Sequence, residues 1–330
     1  MIAAVVARIE HWNQKIQRND FQSDGVMNDR RSRPSANEKF TMRRTSKQAT
    51  FPILLPTDFQ EPARRAFAYA VKLANVLGAR LHILHVIKAL SPSPGVSFHS
   101  RYLNPLKTSA MLELGRLSRL AKEAGIHTEP HLLFGEPSDS ILGSTARFHA
   151  GLVVMGTHGR TGWDRLRLGS TTEAVVRKAR CPVLTLQEVV ARDSVRRHAT
   201  AKLDRFLVAT DFSSCADAAL RYVSRLAPGL KAKVCVLHAA GEGTRERALR
   251  QKLNAAIERL QRAGIEAESL AIPGDPVEII LKQAAEWQAD MIAVGSQGRR
   301  GLSRLLLGSV AEALLRRSGC PVLIVKNRSR

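Results

Sequence analysis

Glycine recurs at one spacing in two places. Gly156-Thr157-His158-Gly159, followed after nine residues by Gly169-Ser170, is matched 139 positions later by Gly295-Ser296-Gln297-Gly298 and then Gly308-Ser309. Each copy follows a short apolar run (Leu152 to Met155, Met291 to Val294) and precedes a helical pattern. At such a strand-to-helix crossing, backbone N–H groups and a helix N-terminus can hold an anion, so the chemistry indicated is phosphate binding. Gly156, Gly159, Gly295 and Gly298 are expected to supply positive φ and a missing Cβ where the backbone approaches the ligand. Gly169 and Gly308 would permit close approach at the next helix, with Ser170 and Ser309 as N-caps or hydroxyl donors to phosphate. Asp58 and Asp211 close the first strand of each repeat, at the end of the sheet where open α/β folds bind ligands. The pattern is not a P-loop, because no Gly-Lys-Ser/Thr follows. Nor is it the dinucleotide fingerprint, because these glycines follow the fourth strand and not the first.

The elements that must position these residues alternate. In the first repeat, strands are predicted at 51–57, 81–87, 127–133, 151–156 and 182–187, with helices at 61–77, 106–124, 138–149 and 170–180. The second repeat reads as strands near 204–210, 232–239, 266–272, 290–295 and 321–326, with helices near 215–227, 244–263, 276–287 and 309–318. Helical spacing is plain in Ala66, Tyr69, Ala70, Leu73 and Leu77, and Gly78, Gly125 and Gly264 mark helix ends. Short apolar strands alternating with helices predict an α/β protein: two tandem doubly wound domains with parallel sheets covered on both faces. Duplication is secure, since 16 of 32 positions are identical between 156–187 and 295–326. The first repeat carries about 14 extra residues. They fall around Ser91-Pro92-Ser93-Pro94-Gly95 and on to Asn104-Pro105, which is loop chemistry. Domains are expected at 49–187 and 204–326, joined by a charged linker at 188–203 and preceded by a polar, basic, mostly disordered leader over 1–48.

Composition narrows the function classes. The chain has 330 residues and 44% hydrophobic content, enough for two ordinary cores. No apolar run approaches the ~20 residues that span a bilayer. Ile2 to Ala7 lacks the basic flank of a signal peptide. Cys181, Cys215, Cys235 and Cys320 show no CxxC spacing, which favours buried thiols in a reducing, cytoplasmic setting over a disulfide or zinc framework. A net charge of +22 favours anionic partners, nucleotides among them. With aromatics at only 5%, a stacking platform for single-stranded nucleic acid is unsupported.

The ordered set of motifs resembles the universal stress protein family, in its tandem, ATP-binding form. The residues that carry it are Pro56-Thr57-Asp58-Phe59 and Ala209-Thr210-Asp211-Phe212-Ser213, then Leu84-His85-Val86 and Leu237-His238-Ala239. Gly135-Glu136-Pro137 and Gly274-Asp275-Pro276 follow, then the glycine loops, and finally Cys-Pro-Val-Leu at 181–184 and 320–323. The resemblance implies a five-stranded parallel sheet of order 3-2-1-4-5 in each unit. It also implies that the last strands pair between repeats, giving an intramolecular pseudo-dimer that leaves a further homo-oligomer open. It further implies an adenine nucleotide, ATP, as cofactor, with Mg²⁺ able to accompany the triphosphate. On that reading Asp58 and Asp211 lie on the nucleoside side, and the backbones at Val86 and Ala239 face adenine. Gly156, Gly159, Gly169 and Ser170 hold phosphate in the first repeat, as do Gly295, Gly298, Gly308 and Ser309 in the second. Arg160 and Arg299, at matching offsets from the loop glycines, are added here as phosphate partners. Ala239 in place of Val86 predicts a looser second adenine pocket, and the long loop at 88–105 could cover the first site.

No dedicated hydrolytic constellation is visible, and His158 facing Gln297 argues against a shared catalytic histidine. The leading expectation is a nucleotide-binding stress-response sensor or regulator, with slow or no hydrolysis and a protein partner. A nucleotide-free scaffold and an adenylate-transferring enzyme stay open as alternatives, though the Ser-Gly-Gly loop of the latter is missing after the first strand.

Overall fold

The computed structural model describes residues 51–88, 99–157, 168–187, 201–241, 246–298 and 307–327. The expected leader at 1–48, most of the linker, and His158, Gly159, Arg160 and Arg299 lie outside the described residues.

The first half runs β1 (Ile53–Pro56), α1 (Glu61–Leu77), β2 (Leu81–Ile87), α2 (His99–Glu123) and β3 (Thr128–Phe134). It continues through α3 (Pro137–Arg147), β4 (Leu152–Gly156), α4 (Ser170–Lys178) and β5 (Val183–Leu186). The second half repeats the order: β6 (Arg205–Ala209), α5 (Ser214–Leu230), β7 (Lys233–Ala240), α6 (Glu246–Arg262) and β8 (Ala267–Pro273). It closes with α7 (Pro276–Glu286), β9 (Met291–Gly295), α8 (Ser309–Arg317) and β10 (Val322–Val325). Local chemistry sets the ends. Gly78 ends α1 in the left-handed conformation at φ 60°, Ser213 Oγ caps α5 by accepting from Ala216 N, and Asp275 caps α7 by accepting from Val277 N and Glu278 N.

One expectation needs correcting. Asn104-Pro105, read as loop, lies inside α2, which has 25 residues against 17 in its counterpart α6. Asn104 and Pro105 are both exposed, so the ring is not forced against buried neighbours. Much of the extra length of the first repeat therefore lengthens a helix.

The strands form one ten-stranded sheet of order β3-β2-β1-β4-β5-β10-β9-β6-β7-β8. Each half has the predicted order 3-2-1-4-5 and is parallel throughout. The halves join where β5 and β10 pair antiparallel, Leu184 opposite Leu323. Thr185 Oγ1 donates to Val322 O (3.2 Å) and Gln187 Nε2 to Leu315 O (3.3 Å) across that seam. The apolar core on each face also runs through both halves. Phe67, Tyr69, Phe206 and Tyr222 share one cluster, and Val175, Val176, Leu314 and Leu315 share the other. Helices α1 and α5 meet closely enough that a Cβ on Gly229 would lie 2.5 Å from Val76 Cγ1. Among the described residues, no helix is long and apolar enough to cross a membrane.

Candidate functional site

In each half the strand order reverses between the first and fourth strands, which opens a crevice at their carboxyl ends. The chain leaves β1 through Thr57, Asp58 and Phe59. Thr57 Oγ1 accepts from Phe59 N and Asp58 Oδ1 from Gln60 N, both at 3.0 Å. The second half repeats both bonds at 3.0 Å, Thr210 with Phe212 N and Asp211 with Ser213 N. These paired turns hold a phenylalanine at positive φ in each half, 65° at Phe59 and 61° at Phe212. Such a backbone costs a bulky residue on the order of 1–2 kcal/mol.

A histidine braces each turn. His85 stacks on Phe59 with ring centroids 4.4 Å apart, and its Nδ1 lies 2.7 Å from Thr57 O. His238 packs on Phe212 at 4.9 Å and sets Nδ1 2.7 Å from Thr210 O. A carbonyl only accepts, so Nδ1 carries the proton in both rings. Sequence reasoning gave these phenylalanines and histidines no role. The available signal was their recurrence at matching positions beside Asp58 and Asp211.

The glycine loops differ from expectation in their physics. None of Gly156, Gly169, Gly295, Gly298 and Gly308 has positive φ. What Gly156 and Gly295 provide is room. A Cβ on Gly156 would lie 2.6 Å from Pro62 Cβ, and one on Gly295 2.7 Å from Ala216 N. The end of the fourth strand is thus pressed against the first turn of α1 or α5, and a side chain there would force them apart. Gly298 has a different neighbour: its Cβ would fall 2.8 Å from Asp211 Oδ2, so the loop crosses directly over the carboxylate.

The N-cap reading of the serines is also corrected. Gly169 and Gly308 hold the cap positions, with extended ψ of 139° and 148°, while Ser170 and Ser309 are the first residues of α4 and α8 and are exposed. Each cap glycine is tied back to the strand end: Gly169 N donates to Thr157 O (2.9 Å) and Gly308 N to Ser296 O (2.8 Å). The first helical bonds run from Glu173 N to Gly169 O and from Glu312 N to Gly308 O. The N–H groups of 170–172 and 309–311 therefore have no acceptor within their helices, and they point toward the crevice with the positive end of the dipole. Glu173 and Glu312 do not oppose an anion there, because Arg177 (2.9 Å) and Arg316 (2.6 Å) pair with them.

The two crevices differ in size. In the second half, Asp211, Ala239, Gly295, Gly298, Gly308 and Ser309 all line one cavity of 470 Å³. In the first, Asp58, Val86, Gly156, Gly169 and Ser170 line a cavity of 200 Å³, while their companion Gly159 lies outside the described residues. Small-molecule sites usually enclose about 300–1,000 Å³. Three wall positions carry larger side chains in the first half: Val86, Met155 and Thr172 stand where the second half has Ala239, Val294 and Ala311. Thr172 Oγ1 also donates to Gly156 O (2.9 Å), which ties that wall to the loop.

The second cavity combines apolar walls with polar ends. Leu237, Ala239, Ile280 and Val294 make an apolar slot, Asp211 supplies a carboxylate, and the first turn of α8 supplies N–H donors for phosphate.

Comparison with known proteins agrees with the duplicated architecture. The model of the universal stress protein family matches residues 50–187 and again 202–326. A universal stress protein of Methanocaldococcus jannaschii is 30% identical over 139 residues, covering 41% of this chain and 81% of that protein. One from Thermus aquaticus is 34% identical over 140 residues, covering 41% of this chain and 97% of its own. The crystal structure of a universal stress protein from Archaeoglobus fulgidus superposes with a TM-score of 0.68 at 27% identity, covering 84% of this chain and 98% of that one.

Proposed function

The chain belongs to the universal stress protein family, and from that premise we propose that it is an ATP-binding member in which occupancy by nucleotide is the signal. The observation that carries the reading is the convergence in the second half. Six residues drawn from four separate segments line a single cavity whose floor is a helix N-terminus. Adenine enters the slot at Ala239, and its edge is read by the backbone there. The triphosphate lies along Gly295, Gly298 and Gly308 and accepts from the first-turn N–H groups of α8, with Ser309 adding a hydroxyl. Asp211 faces the nucleoside side, fixed by its bond from Ser213 N. Mg²⁺ would travel with the phosphates, keeping waters and at most one carboxylate, as is usual for that ion.

The roles of these residues are binding and orientation. Equilibrium binding of labelled ATP tests the assignment, with Gly298→Val as the probe. The added branch would displace Asp211 Oδ2, 2.8 Å from the new Cβ. We expect affinity to fall by roughly tenfold or more, about 1.4 kcal/mol. Full affinity in that variant would remove the site from this crevice.

A further inference from the structure

Two histidines and a glutamate meet at the other end of the first half's outer strands, away from its nucleotide crevice. Parallel register sets His82 of β2 opposite Glu129 of β3, and His131 follows two residues on, which returns it to the same face of the sheet. His82 Nδ1 lies 3.0 Å from His131 Nε2 and 3.5 Å from Glu129 Oε2. The three ligand atoms all lie within 4.8 Å of one another. Two ligands on a tetrahedral zinc at ~2.0–2.1 Å stand about 3.3 Å apart, so this spacing needs little adjustment to close on an ion.

The surroundings hold the ligands in place. Phe148 stacks on His82 at 4.3 Å and on His131 at 4.4 Å, which fixes both ring planes. Arg80 Nη1 takes the other glutamate oxygen, Oε1, at 2.9 Å and leaves Oε2 turned toward His82. Outer-shell bonds of this kind orient metal ligands. His82 is only 4% exposed, so its ring is held within the packed end of the sheet. The cluster borders a groove of 720 Å³ that also takes in His127 and Arg147. His82 and Glu129 line that groove.

We propose that His82, Glu129 and His131 bind one borderline divalent metal ion, of the Zn²⁺ or Co²⁺ class. Two imidazoles and one carboxylate suit such ions better than Mg²⁺ or Ca²⁺, which favour all-oxygen shells. The second half provides an internal control. Its corresponding residues are Cys235, Glu268 and Leu270, so one ligand is replaced by a hydrocarbon. Burial pushes the Cys235 thiol up to about 12, away from the thiolate that metals require. Trp287, in the place of Phe148, donates its Nε1–H to Glu268 and occupies that carboxylate.

The test uses the full chain, stripped with chelator and titrated with Co²⁺ and with Zn²⁺ alone. We expect one ion retained per chain and visible ligand-field bands from Co²⁺. His131→Leu, which copies the second half, and Glu129→Gln, at a partly exposed position that should fold normally, are each expected to weaken binding by roughly tenfold or more. Labelled-ATP affinity should stay unchanged in both, because the cluster lies at the opposite end of β2 and β3 from the first crevice. No retained ion would overturn the proposal. So would undiminished binding in both variants, which would assign the ion to other groups.

Discussion

Phe59 and Phe212 show how a single residue can set a site without lining its cavity. Each sits at positive φ, held by a threonine and an aspartate on either side and braced by a histidine. The strain is distributed over four residues and leaves the carboxylate of Asp58 or Asp211 in one orientation. The difference between the crevices is equally a matter of single side chains. Ala239→Val, which restores the residue of the first half, is expected to narrow the larger cavity and weaken ATP binding several-fold. The combination Val86→Ala with Met155→Val should enlarge the smaller one. Binding isotherms of the two variants against the parent measure both effects: parent stoichiometry near one per chain, falling affinity in the first variant, and a second equivalent gained in the other. A second equivalent already present in the parent would show that wall volume does not control occupancy.

At the scale of elements, the contacts between strand ends and helix starts carry the architecture of the site. Gly295 allows α5 to begin against the end of β9, with backbone atoms of Cys215 and Ala216 2.7 Å from where a Cβ would stand. Gly295→Ala is therefore expected to destabilise the fold by about 1–3 kcal/mol, read as a lowered midpoint in urea. Gly241→Ala, whose Cβ would meet nothing within 4 Å, serves as the near-neutral control. The repeat, the strand order and the crevice were legible because apolar runs and turn residues recur with fixed spacing. The reason for the glycines was not, since close packing against a helix start 79 to 94 residues away in sequence leaves no local mark at Gly156 or Gly295. The helix through Asn104-Pro105 escaped for the opposite reason. A local breaker signal was present, but the helix runs through it at an exposed position, carried by the residues on either side. The cap shift from serine to glycine is of the same kind: a polar residue beside a glycine suits either position, and only the bond from Gly169 N or Gly308 N back to the strand decides.

The whole molecule behaves as one body because neither the sheet nor either core stops at the middle of the chain. Leu323 is 1% exposed, faces Leu184 across the antiparallel seam, and belongs to the cluster that also holds Phe67 and Phe206. Leu323→Ala is expected to cost about 2–5 kcal/mol and to speed amide exchange in β1 and β6 together. Acceleration confined to β6 would show two independently melting units. The seam also sets directions. Every strand of one half runs against every strand of the other, so the two crevices open on opposing rims of a single slab. The rim that bears the larger crevice is the one on which the histidine cluster of the other half ends. Four strands, β1, β4, β5 and β10, lie between β2 of the cluster and β9 of the crevice, so only a partner spanning roughly 24 Å of that rim could reach both proposed sites.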